Sequence, residues 1–259
     1  MVWSCLVSIL PGMAQTEKLT DYVNPFVGTD GYGNVYPGAQ IPFGGIQISP
    51  DTDSRFYDAA SGYKYNHLTL MGFSLTHLSG TGIPDLGDFL FIPGTGEMKL
   101  EPGTHEDPDQ GYRSRYSHDK EWASPNYYAV ELADYGVKAE MTSGVRSGMF
   151  RFTYPESDNA FIMIDMNHTL WQSCEWSNLR MINDSTITGY KLVKGWGPER
   201  HVYFTATFSK KLTGLRFVQD KKPVIYNTSR FRSSYEAWGK NLMAVSYTHL
   251  RAHETVLDL

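Results

Sequence analysis

The chain has 259 residues, of which 41% are hydrophobic and 14% aromatic. That is enough apolar surface for a packed core, and it excludes a disordered or low-complexity chain. The formal charge is −5 and no Lys/Arg run exceeds two residues, so nucleic acid is excluded as an expected partner. The two cysteines, Cys5 and Cys174, build neither a disulfide framework nor a Cys-based zinc site.

In chain order, Met1 to Ala14 (MVWSCLVSILPGMA) is an apolar run that ends in small residues before the polar QTEKLTD. It reads as a secretory signal that lacks its basic start, with cleavage after Ala14. Export to the periplasm or cell exterior, with or without surface attachment, is the expectation. The run is too short to span a bilayer, which takes about 20 residues. From Asp21 to Pro50 the sequence is rich in Gly, Pro and Asn, a loop with several turns. Its GTDGYGN has neither a strand before it nor a helix after it, so it is not read as a dinucleotide loop.

GGIQISP (44–50) reads as a short strand, and DTDSRFYDAASGYKYN as a second loop. Leu68 to Gly82 is apolar with Ser/Thr punctuation, and GDFLFIP (87–93) is a buried strand. Beyond Gly111 the alternation becomes regular: NYYAVELADYG (126–136) pairs with VKAEMTSG (137–144) as a hairpin, and VRSGMFRFTYP (145–155) follows. AFIMIDM (160–166) is a continuous apolar run, the mark of a strand buried on both faces. STITGYKLV (185–193), HVYFTATFS (201–209) and TGLRFVQ (213–219) complete the set. No helix-period segment longer than about ten residues precedes Arg230, so the expected fold is all-β, an antiparallel β-sandwich in one domain over 21–245. Arg230 to Val245 reads as a short helix or an irregular strand. Ser246 to Leu259 (SYTHLRAHETVLDL) is expected to be a non-native tail and is assigned no structure.

No phosphate loop, nucleophile elbow or HExxH helix is present. The densest polar cluster is Thr76 to Asp88, THLSGTGIPDLGD, which gathers His77, Ser79, Thr81, Asp85 and Asp88. Such donors and acceptors suit a polyhydroxylated ligand; equally, they suit a loop that satisfies its own backbone. Asp30, Asn34, Asp51 and Asp53 lie in oxygen-rich loops of the kind that hold calcium, without a specific spacing. Glycoside hydrolysis needs two carboxylic groups. Asp85 and Asp88, Asp58 and Glu175 are the most loop-like acids, but no pattern singles them out.

Four segments resemble glycoside hydrolase family 92 in order and spacing. They are Val23 to Thr52, Ser61 to Pro93, Ser124 to Pro155 and Gly195 to Lys210. The resemblance implies an amino-terminal β-sandwich domain of a calcium-dependent, inverting exo-α-mannosidase that acts on mannose-containing glycans, N-glycans or mannans. It implies a missing carboxy-terminal helical (α/α)₆ domain that carries the catalytic carboxylates and most calcium contacts, so that this chain alone is inactive. The sandwich loops implied to face the sugar are Thr76 to Gly82 and Tyr57 to Ser61, which gives Tyr57, Asp58, His77, Ser79, Thr81 and Asp85 as substrate-binding residues. Many members have Trp-Asp-Gly-Cys before Ser/Ala-Gly-Tyr. Here Tyr57, Asp58, Ala59 and Ala60 stand there, and Tyr for Trp shrinks the stacking surface. The alternatives are a free-standing carbohydrate-binding module that uses Tyr32, Tyr36, Tyr57 and Trp196, and a structural domain that mediates assembly.

Overall fold

The structure is a computed structural model and describes residues 17–55, 59–224 and 236–250. The signal-peptide reading of 1–14, the residues Tyr57 and Asp58, and the end of the tail (251–259) lie outside the described residues.

The strands are β1 (Ala39–Gln40), β2 (Gln47–Asp51), β3 (Thr69–Leu70), β4 (Gly72–Ser74), β5 (Leu90–Thr95), β6 (Ser114–Arg115), β7 (Glu121–Ser124), β8 (Tyr127–Leu132) and β9 (Val137–Ser143). Then come β10 (Gly148–Thr153), β11 (Ser157–Asp165), β12 (Ser173–Asn183), β13 (Thr186–Lys194), β14 (Arg200–Thr207), β15 (Thr213–Gln219), β16 (Lys222–Pro223), β17 (Glu236–Gly239) and β18 (Leu242–Leu250). The described helices are short 3₁₀ turns. Three sheets carry the fold: β1-β2-β4-β5-β11-β18-β15-β16, β10-β9-β8-β7 and β14-β13-β12-β17. The pairings are antiparallel.

One face of the eight-stranded sheet packs on both four-stranded sheets, which makes the sandwich. Phe91 of β5 shows this directly. Its ring centroid lies 5.3 Å from Phe150 of one sheet and 6.0 Å from Phe204 of the other. The opposite face is covered by the segment after β5, where Met98, Leu100 and Tyr112 meet Leu90, Ile92, Phe161 and Met163. Strand β11 therefore has no polar side over its second half. Ala160, Ile162 and Ile164 face the main core, and Phe161 and Met163 face the smaller one. A period-2 backbone with apolar cover on both faces needs an unbroken apolar run, and AFIMIDM is that run.

The longest strand, β12, was not anticipated. Its sequence SCEWSNLRMIN is polar, and its inward set is broken where the register shifts between Cys174 and Trp176. A bulge turns the side chains over and hides the alternation. Arg230 to Val245 contributes β17 and the start of β18, so it is strand rather than helix where described. Ser246 to Leu250, assigned no structure from sequence, is the end of β18, which lies between β11 and β15.

Candidate functional site

The Thr76–Gly82 loop leaves β4 and returns to β5. It is closed at its base by a bridge between His77 and Leu86 and by the Gly87 N–H donating to the Thr76 carbonyl at 2.8 Å. Beneath it runs a layer of buried ionic groups. Asp51, fully buried, lies 2.7 Å from His77 Nε2 through one oxygen and 2.7 Å from His168 Nε2 through the other. The other ring nitrogen of His77, Nδ1, faces the Gln47 carbonyl at 2.7 Å. A carbonyl only accepts, so Nδ1 donates to it, and Nε2 faces both the carboxylate and the Ser74 hydroxyl, 3.1 Å away. Burial by itself raises the Asp51 carboxyl; the His77 and His168 imidazoles outweigh it and hold it well below the usual carboxylate range.

The layer continues through the His168 carbonyl, which accepts from Lys191 Nζ at 2.6 Å. Lys191 is fully buried, sits over the Phe89 ring and lies 3.1 Å from Asp88. Asp88 also pairs with Arg200 and accepts from Thr76 Oγ1 at 2.7 Å. Here too burial works against ionisation, and Lys191 and Arg200 overcome it to lower the Asp88 pKa. Asp85 completes the layer. It accepts from the Leu86 N–H at 2.7 Å and from Gln172, and lies 3.9 Å from Arg200.

The predicted residues thus divide. His77 is 3% exposed and both its ring nitrogens are engaged within the chain, so it supports the loop rather than facing solvent. Asp85 is buried at the loop base. Ser79 is exposed and Thr81 half-buried on the crest, with Thr81 Oγ1 donating to the Ile83 carbonyl at 3.1 Å. The crest is tied to the Gly-rich amino-terminal loop by the Gly80 N–H donating to the Asn34 carbonyl at 2.7 Å. The described end of the other implied stretch, Ala59 to Ser61, is buried and leads directly into Gly62, which does reach this place. A Cβ on Gly62 would lie 2.1 Å from Asp51 Oδ1 and 3.1 Å from the His77 ring. Asp51 is thus approached by His77 of one implied stretch and by Gly62, the residue that follows the other.

Sequence reasoning missed His168, Lys191, Arg200 and Gln172. Lys191 shares the inward face of β13 with Ile187, Gly189 and Val193, and Asp88, the His168 carbonyl and the Phe89 ring, all distant in sequence, accommodate its charge there. Next to Gln172 opens a cleft of about 740 Å³, lined among others by Tyr112, Asp165, His168, Trp171 and Gln172. Trp171 holds φ at 80° and is half exposed at this cleft. The segment NHTLWQS could have drawn attention to it through its density of polar and aromatic groups.

The family model for the "Glycosyl hydrolase family 92 N-terminal domain" matches residues 22–257. The chain belongs to glycosyl hydrolase family 92. Among solved structures it is similar to the family 92 α-mannosidase BT3965 from Bacteroides thetaiotaomicron, with 95% identity over 93% of this chain and a TM-score of 0.90. A second structure of that enzyme, in complex with mannoimidazole, gives the same identity and TM-score. The family 92 glycosyl hydrolase ccman5 is 25% identical over 92% of this chain, with a TM-score of 0.76. An uncharacterized secreted glycosidase of Arthroderma benhamiae is 30% identical over 139 residues, 53% of this chain and 17% of that protein. The chain spans about a third of the solved family 92 enzymes, 33% for BT3965. The match accounts for the sandwich as the amino-terminal domain of the family 92 architecture.

Proposed function

We propose that this chain is the substrate-site-shaping domain of an inverting, calcium-dependent exo-α-mannosidase that trims mannose-containing glycans. The observation that carries the reading is its 95% identity, over 93% of its length, to one third of an α-mannosidase. The chemistry of the site is consistent with a supporting role. Hydrolysis of a glycosidic bond needs one carboxyl free to give a proton and another free to activate water or attack. Asp51, Asp85 and Asp88 beside the loop are all buried and committed to cations or imidazoles. They hold the Thr76–Gly82 loop in place, so that Ser79 and Thr81 on the crest meet the sugar; the reactive acids belong to the helical domain.

Calcium takes 6–8 oxygen ligands. Asp30, Asn34, Asp51 and Asp53 do not provide such a cage. Asp51 is bonded to two imidazoles, Asp53 stands beside the nitrogens of His105 and Arg55, and Asp30 accepts from the Gly31 N–H at 2.7 Å. The reading places most of the ion's ligands in the helical domain. The test is release of mannose from α-1,2, α-1,3, α-1,4 and α-1,6 mannobiosides, with and without calcium, by the full-length gene product and by this chain. Turnover by the long form alone is the expected result. Turnover by this chain would place the acids within it and overturn the reading.

One observation favours a carbohydrate-binding module instead. On the outer face of β14-β13-β12-β17, Trp238, Trp176, Tyr190 and Tyr203 form a row with successive ring centroids 6.1, 5.8 and 4.8 Å apart. Trp176, Tyr203 and Trp238 are exposed. Of the aromatics proposed from sequence, Tyr32 and Trp196 are exposed, Tyr36 is buried and Tyr57 lies outside the described residues. Retention of this chain on a mannan matrix, lost in Trp176→Ala and Trp238→Ala, would favour the module.

A further inference from the structure

Three side chains from two separate connections, the two ends of one and the middle of the other, converge beside the buried ionic layer. Asp53 follows β2, His67 precedes β3, and His105 lies in the long crossing between β5 and β6. Each offers one ligand atom, and these atoms all lie within 4.8 Å of one another. Asp53 is 2% exposed, while the two histidines are half-buried. His105 Nε2 is already 3.2 Å from Asp53 Oδ2, and the two imidazole centroids are 4.1 Å apart.

The surroundings of the two rings resemble those of ligating histidines. His67 Nδ1 lies 3.0 Å from Thr52 Oγ1, and His105 Nδ1 lies 2.8 Å from Thr69 Oγ1. A metal-binding imidazole typically has its second nitrogen held in this way, which fixes the tautomer and the ring direction. Both threonines are themselves anchored. Thr52 Oγ1 accepts from the Lys64 N–H at 3.0 Å, and Thr69 Oγ1 accepts from Arg113 at 3.3 Å.

We propose that Asp53, His67 and His105 form a site for a zinc-class divalent metal that clips the two ends of the β2–β3 connection to the β5–β6 connection. Two nitrogens and one carboxylate oxygen suit Zn²⁺ or Co²⁺ and not calcium, whose ligands are oxygens. With zinc–ligand distances of about 2.0–2.2 Å, the three atoms draw together from their present spacing, which rotation of two half-buried rings allows. Water completes the shell. The metal must also displace a competitor. Arg55 holds Asp53 through Nε at 2.8 Å and Nη2 at 2.6 Å, but its side chain is 62% exposed and can swing into solvent. Arg113, buried on the other side, stays and lowers the affinity through its charge.

The experiment uses the chain stripped with a chelator and titrated with Zn²⁺ or Co²⁺. The expected result is one metal per chain, a Co²⁺ visible spectrum with nitrogen ligation, and a higher Tm with Zn²⁺ but not with Ca²⁺. His67→Gln and His105→Gln each lower affinity by about tenfold or more, and Arg55→Ala raises it. A wild-type chain that takes up no Co²⁺ overturns the proposal, as does uptake that neither histidine substitution alters. If the histidine variants do not fold, Arg55→Ala on the surface still decides: affinity unchanged or weakened there overturns it too.

Discussion

At the scale of single residues, Asp51 and Asp165 make opposite predictions. Asp51 is ionised in the fold, and its pKa lies below its value in the unfolded chain. Its contribution is therefore fully present above the usual carboxylate range, near pH 4, and fades as the pH falls towards the folded value. Asp51→Asn removes the buried carboxylate to which both imidazoles are bonded. We expect a loss of about 3–5 kcal/mol at pH 7, measured by urea unfolding, that shrinks on acidification. For Asp165, burial dominates over His168 and the backbone N–H groups of Asn167 and His168, and raises the carboxyl. Its charged form therefore costs stability once the pH is above its folded pKa, and the cost is absent in acid. Asp165→Asn keeps an oxygen to accept from the Asn167 N–H at 2.8 Å. We expect its unfolding midpoint at pH 7 to equal or exceed wild type. A large loss there would show that the charge itself holds the cleft together.

At the scale of elements, the glycine at position 62 sets how closely two segments approach. It has φ of +86°, and an added Cβ would meet Asp51 Oδ1 at 2.1 Å. Gly62→Ala therefore strains the backbone and pushes the carboxylate off His77. We expect a loss of at least about 2 kcal/mol, which for a chain of this size lowers Tm by about 4–8 °C. A thermal melt that matches wild type would show that the turn relaxes freely. The legible part of the fold follows the same logic of contacts. Strands that alternate against one core, such as β9 and β13, or that carry an unbroken apolar run, such as β11, announce themselves because packing dictates each position. Strand β12 does not, since its bulge inverts the alternation and its outer face carries Trp176. The loop Thr76 to Asp88 stood out by composition, but the role of its histidine did not. Asp51, His77 and His168 are 26 and 91 residues apart along the chain, and only the pairing of β2 with β4, and of β4 through β5 with β11, brings them together.

At the scale of the whole molecule, the amino-terminal segment carries more apolar surface than a solitary domain keeps. Leu19, Tyr22, Val23 and Val27 are all more than half exposed within nine residues, and Phe43 is completely exposed. Singly such residues need no explanation; clustered, they mark a surface that another body covers. In the proposed enzyme that body is the helical domain. The chain from residue 17 to 250 should therefore bind a hydrophobic dye and self-associate on size-exclusion chromatography. Replacing Leu19, Val23, Val27 and Phe43 by serine should restore a monomer without altering the unfolding midpoint, because none of these side chains belongs to the buried core. A wild-type chain that elutes as a dye-silent monomer would mean that this segment folds back on the sandwich. The helical domain would then have to dock elsewhere, and the outer aromatic face of β14-β13-β12-β17 would become the leading alternative.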